Sequence, residues 1–202
     1  MDSIWCKILI VVKTYPEISS KYTETVCVAG VRADNKKLIR IYPIRYRYLA
    51  SEFRKYQWIN VELSKPYADS RPESYNINPS SIEVLDEIPS WDERAGWVLN
   101  KENLFPSVEE LFYAQKENRT SLGIVKVGNI KRVTLESKSD VEIKGQELRK
   151  NEILRQTDLF ETKKDLDLLP VRIKLQFECE NPDCKSHNMS ILDWEFGQRI
   201  GD

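Results

Sequence analysis

Apolar and polar positions alternate, cluster and break along this chain in a way that predicts strands first and helices later. Trp5 to Val12 is an apolar run interrupted only by Lys7, as expected of a central strand covered on both faces. Thr25 to Val31 is short and β-branched, and Leu38 to Tyr42 alternates after the turn-like Ala33-Asp34-Asn35-Lys36. Those two runs predict a hairpin. Pro43, which brings no N–H, is expected to end the ladder. A short helix over Tyr48 to Lys55, a strand over Gln57 to Leu63, a Pro/Ser/Asn/Asp-rich loop from Pro66 to Pro79 and a fifth strand over Ser81 to Leu85 complete the first part. This element order is that of an OB barrel.

From there the pattern changes. Ser90-Trp91-Asp92-Glu93 and Ser107-Val108-Glu109-Glu110 both read as capping boxes, in which hydroxyl and carboxylate satisfy orphan N–H groups of a helix start. Val108, Leu111 and Phe112 then share one helical face. Leu122 to Val127 and Ile130 to Leu135 predict a second hairpin around Gly128-Asn129, and Gln146 to Gln156 a helix. Val171 to Phe177 alternates behind Pro170 and predicts a strand, with Ser190 to Phe196 as its partner across a Cys/His segment. The expectation is a mainly β (α+β) protein of two small OB-like barrel halves with a few short helices and a Cys/His-containing C-terminal hairpin. Residues 1–88 form the first barrel, and 89–202 a helical insert plus the second β subdomain.

Composition narrows the function classes. The chain has 202 residues, with 41% apolar and 31% charged positions and a mean hydropathy of −0.52, enough to bury a core. Lys and Arg number 31 against 32 Asp and Glu, so nucleic-acid affinity has to come from a local patch. The start lacks a secretory pattern, no apolar run approaches membrane length, and the four cysteines are too sparse for a disulfide framework. The expected setting is a reducing cytoplasm, with no membrane partner.

One local patch stands out. Lys36 to Trp58 holds seven basic residues against the single acid Glu52, interleaved with six of the 20 aromatics. Arginines fix phosphates, and aromatic faces stack bases at roughly 1–3 kcal/mol each. Arg40, Tyr42, Arg45, Tyr46, Arg47, Tyr48, Arg54 and Lys55 are the candidate nucleic-acid contacts, with Arg71 added from the long loop. The plainer alternatives are core aromatics with solvated arginines, and an Arg71 that pins its loop by pairing with Asp69 or Glu73.

Cys179-Glu-Asn-Pro-Asp-Cys184-Lys-Ser-His187 brings two thiols and the only imidazole together around a turn. These are zinc ligands, although four residues rather than two separate the thiols. Asp193 is the candidate fourth ligand, with Glu195, Cys6, Cys27 or water as alternatives; without a metal, the segment is a hairpin loop that happens to hold two thiols. Asp193-Trp194-Glu195 and Asp140-Val-Glu142-Ile-Lys144 resemble the carboxylate elements of magnesium-dependent nucleases, but solvated strand faces explain both more cheaply.

Glu24 to Val31 (E-T-V-C-V-A-G-V), followed by Leu38 to Ile44 (L-I-R-I-Y-P-I), resembles the opening of bacterial proteins with a dual-OB (DuOB-like) domain. There a C-V-A-G-I strand precedes a W-[IV]-R-P-type strand. Arg71-Pro72-Glu73-Ser74 and the Cys-Cys-His-Asp-Trp-Glu ending are similar to parts of uncharacterised bacterial and phage-associated relatives. Leu38-Ile39 depart from the usual aromatic, and Tyr42 precedes the proline. The resemblance implies two OB-like barrels and service in conflict or mobile-element systems, and it carries no reaction. The expected function is binding of single-stranded or distorted nucleic acid in bacterial antiviral defence or a mobile element, with a protein partner allowed. A metal-dependent nuclease and a zinc-stabilised protein adaptor are the alternatives.

Overall fold

The structure, a computed structural model, describes residues 3–15, 17–19, 23–45, 53–155 and 169–201. The first half is built from β1 (Ile4–Lys13), β2 (Glu17–Ser19), β3 (Thr23–Arg32), β4 (Leu38–Arg45), β5 (Gln57–Ser64), β6 (Ser74–Ile77) and β7 (Glu83–Glu87). Strand order runs β1-β3-β4-β6-β5 and closes through β5 pairing with β1, giving a five-stranded barrel. Within the ring every pairing is antiparallel except β4 with β6, which is parallel. The topology is OB-like. β2 and β7 extend it at β3 and β5.

The apolar run of β1, broken only by Lys7, is explained by burial on both faces. Ile8 and Ile10 enter the barrel interior with Val26, Val28, Ile39, Ile41, Ile59 and Val61. Leu9 points the other way, into a cluster with Val31, Trp58 and Ile88. Where β3 crosses β1, a Cβ on Gly30 would lie 2.6 Å from the Leu9 carbonyl oxygen and 2.5 Å from Ile8 Cγ2, so only glycine fits.

Pro43 does not end its ladder. β4 continues to Arg45, with Ile44 opposite Val26 and Ile41 opposite Val28. The register shift between those pairs absorbs the missing N–H at a bulge. Of the helix expected over Tyr48 to Lys55, residues 46–52 lie outside the described residues, and 53–56 are irregular and turn.

Helix α1 (Trp91–Val98), capped by Ser90 Oγ at the Glu93 N–H, lays Trp97 and Val98 on the barrel's outer cluster. Trp97 meets Trp58 edge-on at 4.9 Å. Buried Asn103 then accepts the Leu38 N–H at 3.0 Å and donates to the Lys36 carbonyl at 2.7 Å, fastening the following chain to the β3–β4 turn.

The second half contains β8 (Leu104–Phe105), α2 (Val108–Asn118), β9 (Ile124–Val125), β10 (Val127–Ser137), α3 (Asp140–Arg155), β11 (Val171–Cys179), β12 (His187–Ser190) and α4 (Trp194–Gly201). Its sheet is three-stranded, β10-β11-β12, beside a parallel β8–β9 pair. The mainly β architecture, the short helices and the Cys/His hairpin are thus present, while barrel closure belongs to the first half among the described residues.

Three local expectations are corrected. Gly128-Asn129 is not a turn: β10 runs through it, with a register shift between Val127 and Asn129. A Cβ on Gly128 would stand 2.9 Å from the Cys179 carbonyl oxygen, so this glycine serves close strand approach. The strand pairing with β11 is His187–Ser190 rather than Ser190 to Phe196, because Asp193 Oδ1 accepts the Phe196 N–H at 3.1 Å and starts α4. Asp140, Glu142 and Lys144 open α3 instead of lying on a strand. Ser139 and Glu142 form a reciprocal capping box there, with Glu142 Oε2 accepting the Ser139 N–H at 3.0 Å. Among the described residues no helix is long and apolar enough to cross a membrane.

Candidate metal centre and basic cleft

Cys179 ends β11, Cys184 follows the turn at Asn181, and His187 begins β12 opposite Phe177. The fourth donor comes from far along the chain. Ser107 caps α2 by accepting the Glu110 N–H at 3.3 Å, which sets Glu109 in the first helical turn facing the hairpin. The two Sγ atoms, the imidazole nitrogen and the Glu109 carboxylate all lie within 4.8 Å of one another. Cys184 Sγ is 3.2 Å from His187 Nε2, which is 3.4 Å from Glu109 Oε2. A tetrahedral ion with bonds of about 2.0–2.3 Å needs donors roughly 3.3–3.8 Å apart, so the group can close on a metal with small adjustments.

The surroundings favour negative donors. The Glu109 carboxyl is held below its ordinary value by its own backbone N–H first, then by the Lys185 N–H, the Ser107 hydroxyl and His187. Glu109 Oε1 accepts the Lys185 N–H at 3.2 Å, whereas Oε2 is buried and accepts no hydrogen bond. The Cys179 N–H donates to Cys184 Sγ at 3.0 Å. Burial pushes the Cys179 thiol up, so a thiolate there needs a cation beside it. A buried, unsatisfied carboxylate oxygen facing two thiols and an imidazole fits a metal ion.

Asp193, expected as the fourth ligand, is elsewhere. Its Oδ2 pairs with Lys55 Nζ at 2.6 Å, Oδ1 caps α4, and its backbone bridges to Thr14. Glu195 is 3.5 Å from the same Lys55 Nζ. Asp193 therefore ties the C-terminal helix to the barrel. Cys6 lies in the barrel core and Cys27 on β3.

A cleft of about 730 Å³ separates the two halves. Its barrel wall is Thr14, Tyr15, Thr25, Cys27, Arg40 and Tyr42, and the opposite wall includes Lys138, Gln146, Arg149, Arg172, Ile173 and Leu192. Because β3 and β4 are the second and third strands of the barrel ring, the cleft lies over the face that OB barrels use for oligonucleotides. Among the described residues, its charged lining is Arg40, Lys138, Arg149 and Arg172, with no carboxylate. Arg40 pairs with Asp69 at 3.2 Å and Arg172 with Glu142, both acids outside the lining. Arg149 has no ion-pair partner among the described residues. The Arg40 guanidinium also lies over the Tyr42 ring, 4.7 Å from its centroid.

The sequence-predicted patch is thereby divided. Arg40 and Tyr42 reach the cleft; Arg45 ends β4; Tyr46, Arg47 and Tyr48 lie outside the described residues. Arg54 is exposed, and Lys55 is committed to Asp193 and Glu195. Arg71 grips Asp69 through Nε at 2.8 Å and Nη2 at 2.7 Å. That grip drives the Asp69 carboxyl far below its usual range. Arg71 pins its loop, the plainer of its two readings.

Residues 5–100 match a family model described as a domain of unknown function, DUF8758, and residues 104–200 match a second, DUF8757. The two matches meet where α1 has finished packing on the barrel and β8 begins. No curated protein and no solved structure matches the chain.

Proposed function

We propose that this protein binds nucleic acid, single-stranded or locally distorted, in the cleft between its halves, and that a structural zinc ion stabilises the second half. The supporting observation is the cleft on the β3–β4 face of an OB-like barrel, whose described lining carries four cations and no carboxylate, with Tyr42 beside Arg40. Two thiols and an imidazole with one carboxylate suit zinc better than magnesium or calcium, which prefer all-oxygen sites. Ligands drawn from α2, β11 and β12 would lock three elements together. Asp193 and Glu195 act as structural anchors for Lys55 rather than as a nuclease centre. The resemblance to dual-OB proteins supports a place in a bacterial defence or mobile-element system, acting in the cytoplasm and with room for a protein partner.

The test is a binding screen of single- and double-stranded DNA and RNA at two salt concentrations, with elemental analysis of the same preparation. The expected result is tighter binding of single strands, weakening with salt by about 0.7 log units per log unit for each phosphate neutralised, and about one zinc per chain. Salt-independent or absent binding would overturn the first claim, and a metal-free, fully folded protein the second.

A further inference from the structure

Resting on the nucleic-acid reading, we infer that the cleft takes a terminal nucleotide phosphate, about one or two nucleotides in all, with the phosphate toward the second half and the base toward the barrel. Three observations converge on this. The volume, about 730 Å³, falls in the range of small-molecule sites, roughly 300–1,000 Å³. Strand-tracking OB grooves instead engage about 4–16 nucleotides. The cations are unevenly shared: Lys138, Arg149 and Arg172 on the second-half wall, Arg40 alone on the barrel wall. Anions are drawn toward the wall with three, of which Arg172 is paired with Glu142 as Arg40 is with Asp69. Finally, Arg149 is exposed on α3 and has no carboxylate partner among the described residues, whereas Arg40 is already paired with Asp69, its guanidinium over the Tyr42 ring. A tyrosine ring with an arginine beside it offers a base a partner for stacking. The second half is then part of the site, as its phosphate clamp.

Calorimetric titration of the full, metal-loaded chain tests this. The probes are thymidine 5′-monophosphate, 5′-phosphorylated oligothymidylates of two, four and ten residues, a ten-residue strand lacking the 5′-phosphate, and inorganic phosphate. Affinity should level off by two residues, and removal of the 5′-phosphate should weaken binding about tenfold. Arg149→Glu should abolish that phosphate increment, while Lys116→Glu, on the exposed end of α2, should leave it unchanged. A monophosphate that binds within about tenfold of the two-residue strand identifies a free nucleotide as the natural source; a much weaker one identifies a strand end. Affinity that climbs steadily to ten residues regardless of the 5′-phosphate would overturn this inference and leave the nucleic-acid reading standing. Inorganic phosphate binding as tightly as nucleotides would overturn it too, and failure of every strand to bind would take down both.

Discussion

The two halves of this chain are held together by different physics. Among the described residues, all eleven of the largest fully buried side chains, from Ile8 to Leu63, belong to the barrel. Among the described residues, the second half buries the apolar side chains of Val108, Ile173, Phe177 and Cys179, each 3–6% exposed and none of them fully. On the same sheet face as Phe177, the β10 residues Ile130, Val133 and Leu135 remain 60%, 51% and 55% exposed. The described part of this half therefore gains less from apolar burial than the barrel does. The metal-donor group sits within that small core, where Cys179 is buried and Cys184 packs against it. On the proposed reading, what the barrel obtains from interlocked isoleucines and valines, the second half would obtain from a metal held by these donors.

Metal removal is the severest way to break this comparison. Chelation, or Cys184→Ser, is expected to separate one melting transition into two in calorimetry, with the second half unfolding early and the barrel transition unmoved. Structural zinc binding in small domains is worth about 10–16 kcal/mol, so loss of cooperative structure in that half is the expected scale. A single transition shifted by only a degree or two would show that the halves share one core after all.

A pair of alanine substitutions sharpens the contrast at intermediate scale. Ile59→Ala, in the barrel interior, should cost about 2–5 kcal/mol in denaturant unfolding. Leu135→Ala, on the half-exposed sheet face, should cost less than about 1 kcal/mol. Equal losses would contradict the division drawn here.

The smallest expected effect is electrostatic and confined to the second half. Glu142 is held down to about 2 by the Ser139 N–H first, then by Arg172 and the Ser139 hydroxyl. Because its folded value lies below the ordinary value of 4.5, its contribution is complete above pH 4.5 and fades as pH falls toward 2. Glu142→Gln should therefore melt earlier than the native chain at neutral pH, and the two melting temperatures should converge near pH 2. A gap that persists in acid would remove Glu142 from the account.

Much of the barrel was legible in the sequence because its signals are local. The apolar run of β1 and the β3–β4 hairpin each lie within about two dozen residues, and the Ser90 and Ser107 caps outside the barrel within four. Cys179, Cys184 and His187 were legible for the same reason. Glu109 was not: its one sequence signal, the Ser107 capping box, names it only as a helix residue, and its meeting with the hairpin is purely tertiary. The aromatic–basic run drew attention to Lys55 and the long loop to Arg71, whose charges are spent on Asp193 and Asp69. Lys138, Arg149 and Arg172, scattered over β10–α3–β11, were missed because no local cluster marks them. Gly128 likewise has the sequence of a turn but the neighbours of a bulge.

Ultraviolet cross-linking of the full chain to a single-stranded oligothymidylate, with the attached residues mapped by mass spectrometry, tests the central claim most directly. The cleft account predicts adducts at Tyr42 or Tyr15, lost when an excess of unlabelled strand competes. Adducts confined to the more exposed aromatics outside the cleft, Trp5, Tyr67 or Trp91, would contradict it.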